Sequence, residues 1–149
     1  MSTLLRNIIA VIVGLVACME VNGILIGMGG VVIVLPEGVN PNDAKSIADN
    51  IHRYEAKHFV FPFLAHGLGS LFGAFLTALI AASRKMTLAL VIGGVHMLGG
   101  IFMTVLIPAP VWFIALDLGV AYLPAALIGG KLGVVASRTL KHPSPAHKS

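Results

Sequence analysis

Residues His58–Ala82 read HFVFPFLAHGLGSLFGAFLTALIAA. After His58 the run holds no formal charge, and at a rise of about 1.5 Å per residue it is long enough to cross about 30 Å of hydrocarbon. Within it His66 stands on a stripe of small residues, Gly69, Ser70, Gly73 and Thr77. An ionisable residue at that depth needs a partner, and a small-residue stripe is where other helices come close. The stretch therefore predicts an all-α membrane protein rather than a soluble domain.

Composition agrees. Hydrophobic residues make up 57% of the chain and charged residues 11%, with a mean hydropathy of +0.94. Soluble domains carry about 25% charged residues, so these residues cannot assemble a water-facing surface. The net charge of +4 is too sparse and too confined to helix ends to serve nucleic acid. A lone cysteine, Cys18, excludes an intramolecular disulfide or a dithiol relay.

Working outward, the periodicity and breakers predict spans at about 5–30, 59–82, 87–107 and 111–135. The first run contains Leu15-Val16-Ala17-Cys18, which has the form of a lipoprotein cleavage site. The run stays apolar well past Cys18, so it is taken as an uncleaved span. A polar connector, 36–57, follows. Asn40-Pro41-Asn42-Asp43 has the form of a helix start, and Ile47, Ile51 and Tyr54 recur at helical spacing. A short extracytoplasmic surface helix is expected there. Pro108-Ala109-Pro110 separates the last two spans, and Pro124 is expected to kink the fourth. The basic tail, 138–149, is expected to be disordered and cytoplasmic.

Basic residues set the expected orientation. With the N-terminus inside, Arg6, Arg84, Lys85, Lys131, Arg138, Lys141 and Lys148 face the cytoplasm, and Lys45, Arg53 and Lys57 lie outside. Seven against three places both termini in the cytoplasm and arranges four antiparallel helices.

Apart from Arg6 and Lys131 near the inner ends of theirs, each span then carries one acidic or histidine residue: Glu20, His66, His96 and Asp117. Counted from the outer ends of their spans, His66 and Asp117 lie about 10 Å deep and His96 about 16 Å, with Glu20 at about 15–22 Å. Small neighbours flank them: Ala17, Gly23 and Gly27 beside Glu20; Gly93, Gly99 and Gly100 beside His96; Ala121 beside Asp117. A charged carboxylate facing lipid costs about 2.5–3.5 kcal/mol on insertion scales, so convergence on a shared interior site is expected. Asn22 and Tyr122 are candidate hydrogen-bond partners, though neither shares an ideal helical face with its neighbouring acid.

Three roles suit such a cluster: polar contacts that fix helix register, a proton or ion pathway, and a transition-metal site held by His66, His96, Glu20 and Asp117. No local spacing such as H-E-x-x-H singles out the metal role. Gly23-xxx-Gly27, Gly69-xxx-Gly73 and Gly129-xxx-Gly133 suit helix packing within the chain or against a second copy or another membrane protein.

The segments Pro62-Phe63-Leu64-Ala65-His66-Gly67-Leu68-Gly69-Ser70 and Ile107-Pro108-Ala109-Pro110-Val111-Trp112-Phe113, with Leu35-Pro36, resemble those of small four-helix bacterial inner-membrane proteins without an assigned activity. The resemblance implies a bacterial inner membrane and brings no functional residues. The expected function is a non-enzymatic membrane subunit or a small transport-related bundle with a buried polar cluster and no cofactor. The alternative is a membrane-embedded metal-binding or redox enzyme.

Overall fold

The computed structural model describes residues 1–141, and all regular structure among them is helical. The helices are α1 (Thr3–Val32), α2 (Ala44–Asn50), α3 (Val60–Ile80), α4 (Lys85–Leu106), α5 (Val111–Leu116) and α6 (Leu123–Lys141). Four helical stretches are long and apolar enough to cross a membrane: Thr3–Val32, Ala56–Ile80, Lys85–Leu106 and Val111–Leu140. Arg138–Lys141 continue α6, so the helix overruns the start expected for the tail. The rest of the expected tail lies outside the described residues.

α3 is the central helix, packed against α1, α4 and α6. Small residues let it approach them. A Cβ added to Gly73 would sit 2.6 Å from the Gly14 carbonyl oxygen, and one on Gly129 would collide with the Leu71 carbonyl. Thr77, fully buried, donates its hydroxyl to the Gly73 carbonyl at 2.9 Å beside this seam. Below it Ala74, Ala78, Ala89 and Ala126 form a small-residue core with Val134 against it. Such close backbone approach makes dispersion the main attraction. Gly69, Gly73, Gly129 and Gly133 are thus occupied within the chain, whereas Gly23 and Gly27 face open space.

Hydrogen bonds close one end of the bundle. Asn7 accepts from the backbone amides of Ala82 (2.9 Å) and Ser83 (3.3 Å) and donates to the Ser83 hydroxyl at 3.0 Å. Arg6 donates to the Ile80 carbonyl at 2.6 Å. The start of α1 is thereby tied to the α3–α4 turn, in which Arg84 adopts a left-handed φ of 48°.

At the other end the connector folds over the helices. Its helix begins one turn later than the Asn40-Pro41 pattern predicts. Asp43 is the N-cap, accepting from the Lys45 amide at 3.0 Å, and Asn40 instead accepts from the Asn42 amide in a turn ahead of it. The reason is local: an Asx turn at Asn40 and a cap at Asp43 satisfy more backbone donors than one helix from Pro41 would. His58 anchors the connector's return. Its Nδ1 accepts from the Glu55 amide at 2.8 Å, and its Nε2 meets the Val34 carbonyl at 3.2 Å.

Gly129→Val is expected to destabilise the fold by about 1–3 kcal/mol through overpacking. Gly94, with nothing near its missing Cβ, should accept alanine without loss. Thermal unfolding of the two variants checks this; equal losses would contradict the packing described.

Candidate functional site

Pro124 has no amide hydrogen, and its ring excludes the carbonyl four residues back, at Val120. The helix responds upstream with a π-turn over Asp117–Ala121, between α5 and α6. In an ideal α-helix, residues five apart stand about 140° away from each other. An i→i+5 turn brings them onto one face. Asp117 and Tyr122 are such a pair, and the Tyr122 hydroxyl donates to Asp117 Oδ2 at 3.0 Å. The partnership doubtful on an ideal helix is made by the π-turn.

Asp117 is 5% exposed and Tyr122 fully buried. The second partner of Asp117 comes from α3: His66 Nδ1 lies 2.9 Å from Oδ1 and 2.8 Å from Oδ2. With the carboxylate accepting, Nδ1 carries the proton and Nε2 keeps its lone pair in the neutral ring. The His66 ring stacks on Tyr122 with centroids 5.2 Å apart. Gly100 of α4 makes room for Tyr122, because a Cβ there would strike its hydroxyl.

His96 joins from α4. Its ring lies edge-on to Tyr122 at 5.1 Å and to His66 at 5.8 Å. Its Nδ1 is 2.9 Å from the Ser70 hydroxyl and 3.2 Å from Cys18 Sγ. In the sequence Ser70 belongs to the small stripe, and Cys18 stands at the end of the lipoprotein-like Leu15–Cys18 stretch. Both are buried, and both bracket His96. The signal for Ser70 was present, since it follows His66 by four residues and shares its helical face.

Three of the four ionisable residues therefore lie together: His66, His96 and Asp117. Glu20 does not join them. It is exposed on the outside of α1, and its expected small-residue face, Gly23 and Gly27, meets nothing within 4 Å. α1 instead turns Gly14 and Cys18 toward α3, because those residues fit the Gly69–Gly73 seam. The metal set of His66, His96, Glu20 and Asp117 is consequently not assembled. Among the described residues no three His, Cys, Asp or Glu side chains form a metal-holding group. Asn22 lies near the cluster without bonding to Asp117. Its Cβ is 3.4 Å from the position of a Cβ on Gly69, and its Oδ1 is buried without a hydrogen-bond partner.

Asn22, His66 and Asp117 contribute to the lining of a cavity of about 540 Å³. Its walls include Ile26 and Gly29 of α1, Phe61 of α3, Met103 and Thr104 of α4, and Phe113 of α5. Connector residues Pro41, Ala44, Ile47 and Tyr54 also line it. Phe59 continues the aromatic wall, 4.7 Å from Phe113 and 5.6 Å, edge-on, from Trp112. The chamber thus has apolar and aromatic walls, a polar floor and the connector at its far end. Past His96 the Gly14–Gly73 seam and the alanine core pack the helices closely. Compared with known protein families, curated proteins and solved structures, the chain matches none.

Tyr122→Phe removes one donor to a buried carboxylate and is expected to lower stability by about 1–2 kcal/mol. His66→Ala leaves Asp117 without its imidazole partner and should lower it by about 3–5 kcal/mol. Glu20→Gln should stay within about 0.5 kcal/mol of the parent. Denaturation midpoints of the three variants measure the ranking, and a large loss in Glu20→Gln would place that residue in the core.

Proposed function

We propose that this chain is a four-span integral membrane protein that binds a small amphipathic molecule in the chamber. The His66–Asp117 pair is its polar anchor. The protein acts as a binding or transport-related bundle, not as an enzyme. The observation that carries the reading is the placement of this part-buried pair at the floor of an apolar, aromatic-walled cavity. Pockets that bind small molecules have this composition and fall in this size range, about 300–1,000 Å³.

The surface of the long helices supports insertion. Leu4, Ile12, Val16, Met19, Ile24, Leu98, Phe102 and Val135 are all exposed. In water such a surface would drive association, whereas in a bilayer it is the expected exterior. We place the chain in a bacterial inner membrane, as the resemblance implies, and orient its four antiparallel spans with both termini cytoplasmic, following the distribution of basic residues. The connector then lies at the outer surface, with its short helix over the chamber, and ligand arrives from that side.

The closed packing beyond His96 favours binding over free conduction. Among the described residues the polar chain Asp117–His66–Tyr122–His96–Ser70 meets the tight Gly14–Gly73 seam, so an open pore would require parting that seam. With His66 Nδ1 on Asp117, Nε2 is the ring nitrogen left without a hydrogen-bond partner among the described residues.

Thr104→Cys in a Cys18→Ser background tests access. A membrane-impermeant maleimide should label it from the extracytoplasmic side of sealed vesicles and not from the cytoplasmic side. Labelling from the cytoplasmic side alone would reverse the orientation. A cysteine silent from both sides, yet reactive after denaturation, would remove the open chamber.

A further inference from the structure

The chamber floor presents few polar groups, and their chemistry is mixed. Asn22 turns its Oδ1 into the packing, where it is buried. Its amide NH₂ is the end left to reach the chamber that Asn22 lines, and it donates to nothing among the described residues. His66 bonds through Nδ1 to Asp117, which leaves Nε2 without a partner there. In the neutral ring that nitrogen keeps a lone pair. The Asp117 carboxylate is already engaged by His66 Nδ1 and the Tyr122 hydroxyl, and the Thr104 hydroxyl donates to the Ile101 carbonyl at 2.7 Å. The floor thus offers one open donor and one open acceptor, with a negative charge beside them. Above it the walls include Ile26, Phe61, Met103 and Phe113.

Each class of head group meets this floor differently. A bare hydrocarbon would leave the donor and the acceptor unpaired out of water. A carboxylate could accept from Asn22, but it would face the Asp117 charge and the Nε2 lone pair. An ammonium could approach Asp117, but it has only donors to offer and would meet the Asn22 NH₂ with another N–H. Both ions would also give up their hydration on entering apolar walls. A hydroxyl carries both functions on one neutral atom, since its oxygen accepts while its proton is donated. The apolar walls then take its hydrocarbon body. We infer that the chamber binds a neutral lipophilic alcohol, its hydroxyl accepting from the Asn22 amide and donating to His66 Nε2. This assignment rests on the chamber being the binding site.

The experiment is equilibrium dialysis of the purified full chain in detergent against the same micelles without protein. It is run at about pH 8, where an alkylamine is a cation and a fatty acid an anion. Four probes share a length and differ in their heads: 1-octanol, heptyl methyl ether, n-octylamine and octanoate. Octanol should show saturable uptake by the protein. The ether, which accepts but cannot donate, should bind at least fivefold more weakly, and the two ions at least tenfold more weakly. Asn22→Leu removes the donor together with an acceptor that is buried without a partner, so the variant should fold as the parent does. It should weaken octanol binding at least fivefold. Ether binding equal to that of octanol, or parental octanol affinity in Asn22→Leu, would overturn the hydroxyl assignment and leave the chamber standing. Octylamine or octanoate binding as tightly as octanol would do the same. No saturable uptake of any probe would remove the chamber as well.

Discussion

A carboxylate out of water must be hydrogen-bonded, and the connector-side half of this bundle is arranged around that requirement at Asp117. The isolated charge would be strongly unfavourable in an apolar interior. Two donors from different places meet it, His66 from the central helix and Tyr122 from five residues along its own chain. The second donor is in reach only because Pro124 forces a π-turn. Each local irregularity therefore has a structural consequence: the proline unwinds the helix, the unwound turn rotates Tyr122 inward, and Gly100 on α4 leaves space for its ring.

The bundle divides into two kinds of packing. Where α1 meets α3 at Gly14 and Gly73, and where alanines from α3, α4 and α6 meet, the backbones touch and leave no room for water or ligand. Toward the connector the contacts are made by large rings, and large rings hold helices apart. Phe59, Phe61 and Phe113 frame the cavity, and the connector reaches it with Ile47 and Tyr54. Small residues at one end and aromatic residues at the other give a closed base and a roomy opposite half. That gradient in side-chain size is what gives a bundle of four long helices a chamber.

Glu20 shows where reasoning along one helix loses its grip. Its neighbours Gly23 and Gly27 are small, which is the usual mark of an interior face, yet a second small face on α1, Gly14 with Cys18, fits the α3 seam. Both faces satisfy the same rule, and the choice between them depends on which one complements Gly69, Gly73 and Thr77 across the gap. Nothing local to α1 contains that information. Asn22 lies between the two faces, which is why it lines the chamber without reaching the acid.

The sequence by itself determined the helical class, the four long apolar runs and their breaks, and the identity of most of the cluster. These follow from run length, the scarcity of charge, and the rarity of ionisable residues within such runs. His66 and His96 could be singled out because each is the lone acidic, basic or histidine side chain of its span, and Asp117 because the other charge of its span, Lys131, stands at the opposite end. Only the tertiary structure decided that Glu20 stands apart, that Ser70 and Cys18 bracket His96, and that Tyr122 reaches Asp117 through a π-turn. Those outcomes depend on rotations of whole helices and on a one-residue change of helical register. Both are set by complementarity between surfaces distant in sequence, which periodicity along a single helix does not encode.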